Sequence, residues 1–315
     1  MSVLGGDRMI RNTLAIRIGM GLVAAAAMAA LKAAPAAADT FFFSTGNPDG
    51  KMATASRPDS AAGIEIESAD DFILNSETHI NSATFTGLIP SGATIQNVDV
   101  EIYRVFPKDS MDPANGAVTT RMNSPSDVEF ADRNVADGNM TSTTTTLSPS
   151  FKANNSVLNG IHPLPNEATG GEGPVTGEEV QFNADFTTPF DLPADHYFFV
   201  PQVQLNDGND FFWLSAPKPI VAPGTPFVGD LQEWIRNADL DPNWLRVGTD
   251  IVDNLGPVPG VVPTFNATFS LTGVTVPEPS TAWLLTPALV GLGGMRWMVR
   301  RRPPAVAPEE RSSRA

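Results

Sequence analysis

The sequence predicts a mainly β fold, an antiparallel, jelly-roll-like β-sandwich, placed between two apolar segments that lie near the ends of a 315-residue chain. Three observations carry that prediction. Apolar and polar residues alternate with period two in stretch after stretch, as in strands that bury one face and wet the other. Glycine and proline, 26 and 28 in number, fall between those stretches and break them into short pieces. Amphipathic helical periodicity is almost absent between the two apolar segments, so the layers to be packed are sheets.

Residues 1–38 read as a signal peptide. Arg8, Arg11 and Arg17 lead into an apolar, alanine-rich stretch at 18–31, and Ala36-Ala37-Ala38 offers a small-residue cleavage site before Asp39. Met9 is a second candidate start, and an uncleaved N-terminal anchor is the alternative reading. Residues 39–275 then form the candidate ectodomain. Strands are expected at 71–74 and 80–88, and again where Val98, Val100 and Ile102 alternate with Asp99 and Glu101. Another is expected at 141–147, and one where Val180, Phe182, Ala184 and Phe186 alternate with Gln181, Asn183 and Asp185. Stretches 197–205 and 210–215 are joined by Asn206-Asp207-Gly208-Asn209, which reads as a hairpin turn because Asn and Gly accept positive φ. A short helix is expected at 230–238, where Leu231, Trp234 and Ile235 would share a face. Phe265, Ala267, Phe269 and Leu271 alternate with Thr264, Asn266, Thr268 and Ser270 in the last strand. Stretches 110–116, 166–177 and 254–263 read as loops, and neither a repeat nor a composition break divides the segment.

Composition narrows the function classes. The chain has no Cys, so an exported domain would stand without disulfides and rest on burial. All eighteen Phe fall between residues 39 and 276, consistent with a well-filled core. The same segment holds ten Lys and Arg against thirty-one Asp and Glu, a net charge of −21. Nucleic acid and anionic membrane surfaces are poor partners for such a surface.

No catalytic residues are assigned from the sequence. The three histidines, His79, His162 and His196, show no zinc or iron spacing, and His196 reads as structural. A G-x-S-x-G elbow and a thiol nucleophile are both missing. The Gly170-Gly171-Glu172-Gly173 loop lacks the Lys-Ser/Thr of a phosphate loop. Thirty-one acids supply many carboxylate pairs, which keeps a glycosidase-like hydrolase open as an alternative. No cofactor is expected beyond a structural calcium, for which Asp70, Asp71, Asp207 and Asp210 are the candidate ligands. Trp234 and Trp244 are the candidate sugar contacts, whereas Trp213, in Phe211-Phe212-Trp213-Leu214, reads as packing.

The last forty residues are the most specific part of the sequence. Pro277-Glu278-Pro279 precedes an apolar run at 282–299, and Arg300-Arg301-Arg302 follows it. Eighteen residues at ~1.5 Å each reach ~27 Å, enough for a hydrocarbon core, and the arginines would hold the following end inside. Three glycines, Gly291, Gly293 and Gly294, make a soluble core helix the poorer reading. The three-part arrangement at 276–302 resembles the PEP-CTERM sorting tail of exported Gram-negative proteins. That resemblance implies recognition by an exosortase-like membrane protease and release towards the cell surface or an exopolysaccharide matrix. Arg296 inside the apolar run and the thirteen-residue tail at 303–315 depart from the family pattern. Ala69-Asp70-Asp71-Phe72 also resembles a signature of ectodomains carrying this tail, in which it opens a jelly-roll similar to carbohydrate-binding modules.

The expectation is therefore an exported protein, first anchored in the inner membrane and then sorted to the surface or matrix, with a non-enzymatic ectodomain that is a candidate for polysaccharide binding. The alternatives are a carboxylate-based envelope hydrolase and a purely structural surface protein.

Overall fold

The computed structural model describes residues 38–60, 63–110, 123–161, 168–217, 229–239, 244–252 and 263–277. All but Pro277 belong to one compact unit, Ala38–Val276. In chain order the strands are β1 (Thr40–Ser44), β2 (Met52–Ala55), β3 (Ile66–Leu74), β4 (Thr78–Ile89), β5 (Ile95–Val105), β6 (Pro125–Asn134), β7 (Met140–Ala153) and β8 (Asn155–Val157). They continue as β9 (Val175–Leu192), β10 (Asp195–Leu205), β11 (Phe212–Ala216), β12 (Trp234–Asn237), β13 (Leu245–Arg246), β14 (Asn266–Ala267) and β15 (Phe269–Thr275), with a π-helical turn at Val247–Val252. No helix among the described residues is long and apolar enough to cross a membrane.

The strands form two sheets, as a β-sandwich requires. The second sheet runs β13-β12-β3-β10-β5-β6, and the first is built on β4, flanked by β9 and then β7 on one edge. Pairs β2·β11, β3·β10, β4·β9 and β5·β6 are antiparallel and nested, and they alternate between the two sheets. A long hairpin ribbon rolled up on itself gives that pattern, which is the jelly-roll arrangement. Among the described residues a single parallel pair, β2 with β8, departs from the antiparallel expectation.

The predicted alternation builds the core. Val180, Phe182, Ala184 and Phe186 from β9 are all buried, as are Val98, Val100 and Ile102 from β5. Phe85 and Phe182 are register partners on β4 and β9, and their rings stack at 4.8 Å with planes 2° apart. Across the sandwich, Phe199 on β10 stacks on Phe269 on β15 at 5.0 Å. Each such ring contributes ~1.5–3 kcal/mol of burial, with ~0.5–1.5 kcal/mol more from the aromatic pair. That interior is what a Cys-free domain relies on.

The far edge of β4 forks. β15 pairs with it over Thr78–Phe85 and β11 takes over at Gly87 and Leu88. At the fork, Thr268 Oγ1 lies 2.9 Å from the Thr86 carbonyl oxygen and 3.0 Å from that of Leu214, tying the three strands together. Gly87 is required there, because a Cβ would sit 2.1 Å from the Phe211 ring and 2.5 Å from the Phe212 carbonyl oxygen.

Three expectations are corrected. The turn at 206–209 has its positive-φ Gly208, but it joins β10 to β11 across the two sheets and closes no hairpin. Both edges of β10 are already taken, by β3 and β5, so β11 pairs with β2 and β4 instead. Residues 230–238 do not form a helix: β12 adds to β3 with Trp234 opposite Ala69 and Arg236 opposite Glu67. The strand sends Trp234 and Ile235 into different clusters, so the shared helical face does not arise. Finally, the polar partners in the last alternation are not wet, since Asn266 and Thr268 are buried.

Candidate functional site

The outer face of the second sheet carries the densest polar chemistry among the described residues. Period two puts Glu67 and Ala69 of β3 on that face, with Asp99, Glu101 and Tyr103 of β5 and Val200 and Gln202 of β10. β12 adds Trp234 and Arg236 at its edge. The face is not left to solvent, because Trp244 folds over it and joins a buried cluster with Ala69, Tyr103, Phe198, Val200 and Trp234. Beside that cover lies a pocket of about 300 Å³ whose wall includes Glu65, Glu67, Tyr103, Glu129 and Arg236.

Arg236 is the cation of this pocket. Its guanidinium pairs with Glu67, through Nε on Oε2 and through Nη2 at 3.1 Å from Oε1. It also lies 4.5 Å from the centroid of the Trp244 ring. Tyr103 Oη accepts from Arg236 Nη2 at 3.0 Å and lies 2.7 Å from Glu67 Oε1 and 3.0 Å from Glu101 Oε2. The phenol has one hydrogen to give and two carboxyl groups to serve. Oxygens of Glu65, Glu67 and Glu101 lie within 4.8 Å of one another.

Burial makes this charge expensive. It pushes the Glu101 carboxyl well above its ordinary range, and repulsion from Glu67 adds to the effect. Asp99 is pushed up to about 7, first by burial and then by Asp132. Glu65 is raised by burial and by Glu67, against a hydrogen bond from Gln202. The Tyr103 phenol is also held above its ordinary value, first by burial and then by Glu67. Such a group of acids can hold shared protons or a cation.

The predicted calcium ligands do not converge. Asp70 and Asp71 are neighbours on β3, so their side chains leave opposite faces of the sheet. Asp70 faces inward, accepting from the Ala267 backbone N–H at 2.8 Å and from Asn266 Nδ2 at 3.4 Å. Asp71 faces outward and lies 2.5 Å from His196 Nε2, with the Leu231 N–H donating at 2.9 Å. Burial raises Asp70 well above its ordinary value, helped by Asp71, and lifts Asp71 to about 6 against the His196 bond that lowers it. The Ala-Asp-Asp-Phe stretch thus docks β14 on one face and the lead into β12 on the other. Asp207 and Asp210 lie beyond the end of β10. Asp207 accepts from the Asn209 N–H at 3.1 Å, and Asp210 pairs with Arg57.

Trp234 and Trp244 are 2% and 1% exposed, so neither ring presents a face on which a sugar could stack. Trp244 Nε1 donates to the Ser126 carbonyl at 3.2 Å, and Trp234 helps to wall a second pocket, of about 270 Å³, with Asp230, Arg246 and Asn266. Trp213 is fully buried, as its apolar run suggests. His79 pairs with Asp191, while His162 lies outside the described residues. Ala38 and Asp39 are exposed at the start of the unit, and Pro277, the residue that follows its end, is half-buried. Glu278, Pro279, Arg300, Arg301 and Arg302 lie outside the described residues, with the apolar stretches at 18–31 and 282–299.

Glu65, Glu67, Glu101, Tyr103, Gln202 and Arg236 were not singled out in the sequence. Their one local signal is an acid between two apolar residues of a strand, as in Val100-Glu101-Ile102, which reads as an ordinary wet face. No family model matches this chain, and no curated protein or solved structure gives a significant match.

Proposed function

We propose that this chain is an exported surface or exopolysaccharide-matrix protein whose tail, from Pro277 on, is a sorting and anchoring signal read by an exosortase-like membrane protease. In this reading the sandwich is the cargo, held first at the inner membrane and then passed outwards. One observation supports it: both candidate processing points lie just outside paired strands. β1 and β15 are antiparallel partners, with Thr40 opposite Val274. Asp39 N donates to Thr275 Oγ1 at 3.1 Å, and Thr275 N donates to the Asp39 carbonyl at 2.9 Å. The last backbone bond of the unit is Val276 N to the Glu77 carbonyl, at 2.8 Å, and Pro277 follows directly. Cleavage after Ala38 and within the Pro-Glu-Pro tail would therefore break no strand pairing.

The test is Pro277→Ala combined with Glu278→Ala in the producing cell, with fractionation and mass mapping of the C-terminus. The expected result is a variant retained in the inner membrane with its arginine-rich tail intact. A variant that reaches the surface with the same C-terminus as the parent chain would leave the tail a simple anchor and overturn the sorting role.

A further inference from the structure

We infer that the acidic cluster at the edge of the pocket on the second sheet is a site for a divalent cation of the calcium class, held by Glu65, Glu67, Glu101 and the side-chain carbonyl of Gln202. The first ground is geometric. One oxygen from each of the three glutamates lies within 4.8 Å of the others, no wider than two opposed oxygens on a Ca²⁺ with ~2.4 Å bonds. The ligands come from three strands, β3, β5 and β10, and the residue that leads into β3, so an ion there would cross-link β3 to β5 in a domain without disulfides.

The second ground is independent of the acids. Gln202 is completely buried, and its Nε2 donates to Glu65 Oε1 at 3.1 Å. That bond fixes the amide's orientation, since the flipped form would set a carbonyl oxygen against a carboxylate. Gln202 Oε1 is then left beside the cluster, sealed from solvent and with no hydrogen-bond partner among the described residues. An orphaned buried carbonyl is costly in a site that holds nothing, because it has given up its water without a partner in exchange. A hard cation is the partner that satisfies it and the surrounding carboxylates together. Asp99, register partner of Gln202 on β5, also keeps an unpartnered buried oxygen.

The donor set selects the ion. It is all oxygen, with neither imidazole nor thiolate, which suits Ca²⁺, Mg²⁺ or Mn²⁺ rather than zinc or copper. Mg²⁺ demands a tight octahedron and gives up its water reluctantly, whereas Ca²⁺ accepts the irregular geometry of three glutamates and an amide. Arg236 does not replace it. Its guanidinium engages Glu67 and Tyr103, and one positive charge cannot neutralise three carboxylates.

The test uses the full-length chain in nonionic detergent, stripped with EGTA and titrated with Tb³⁺, which occupies Ca²⁺ sites and emits when a nearby aromatic ring is excited. Tyr103 touches both Glu67 and Glu101, so sensitised emission is expected, displaced by Ca²⁺ and poorly by Mg²⁺. The melting temperature should rise with the logarithm of Ca²⁺ concentration. Glu65→Gln and Glu101→Gln should each weaken Ca²⁺ binding at least about tenfold, because affinity follows ligand charge. Asp207→Asn, on a remote turn, should leave it unchanged. If Glu101→Gln does not fold by circular dichroism, Glu65→Gln at the partly exposed rim decides the matter. Three results overturn the assignment: no emission and no thermal shift at millimolar Ca²⁺, binding undiminished in a folded Glu65→Gln, or equal displacement by Mg²⁺. The first of these would mean that the cluster holds protons.

Discussion

Replacing Glu233 by Gln should make this domain more stable in alkaline solution and somewhat less stable in acid. Glu233 is 1% exposed, accepts a hydrogen bond from Thr54 Oγ1 at 2.5 Å, and leaves Oε2 buried without a partner. Burial raises its pKa from 4.5 to about 8, with Thr54 opposing and Asp49 adding a little. Because the folded-state value lies above the unfolded one, the neutral carboxyl's contribution is whole below 4.5 and drains away as pH climbs to about 8. That interval, at about 1.4 kcal/mol per unit, amounts to ~5 kcal/mol. The amide keeps the shape and the acceptor for Thr54 but buries an unpaired NH₂ group, which costs about 1–3 kcal/mol. A net gain of ~2–4 kcal/mol is therefore expected near pH 9, and a net loss of up to ~2 kcal/mol at about pH 5, where the amide's cost is no longer offset. Urea unfolding of the full-length chain, followed by tryptophan fluorescence across that range, measures both slopes. Parallel pH profiles for the two proteins would refute the reasoning, since they would mean that Glu233 titrates alike in the folded and unfolded chain.

Two further substitutions probe the packing and the pocket. Gly87→Ala should destabilise the domain by ~3 kcal/mol or more, as overpacking does, because the new Cβ meets the Phe211 ring and the Phe212 carbonyl at the fork. A melting temperature within a degree or so of the parent would show that the fork yields freely. Arg236→Met should cost ~3–5 kcal/mol by leaving Glu67 buried without its partner, and adding Glu67→Gln should recover much of that loss. A double variant no more stable than Arg236→Met alone would assign the loss to the contact between Arg236 and Trp244 instead.

The strands were legible because burial follows period two wherever one face meets the core. Phe182, Phe199 and Phe269 lie on predicted strands and form the interior. What stayed hidden depended on partners far away in sequence. β12 is four residues long, and its strand character comes from the open edge of β3, more than 160 residues earlier, as the pairing of Ile235 with Ser68 shows. Propensity has nothing to say about such an edge. The turn at 206–209 was likewise readable as a reversal, but its destination was set by β3 and β5 occupying both sides of β10.

The acidic pocket was invisible for a related reason. Alternation predicts that Asp99 and Glu101 leave the core, and they do leave it. It cannot predict that Trp244 and Arg236 then cover the outer face and take Glu101 out of water. The same rule separates Asp70 from Asp71, the pair that looked most like a ligand set in sequence, and gives each a partner of its own on opposite faces. Adjacency along a strand thus argues against a shared ion, whereas Glu65, Glu67 and Glu101 cluster because side chains two residues apart on a strand, or in phase on strands that flank a common neighbour, point the same way. In a mainly β chain the search for an oxygen-ligand site should start from acids at even spacing on the same face of one sheet, across one intervening strand as well as on adjacent ones. Here that criterion selects the one group of acids that also has an orphaned amide oxygen beside it.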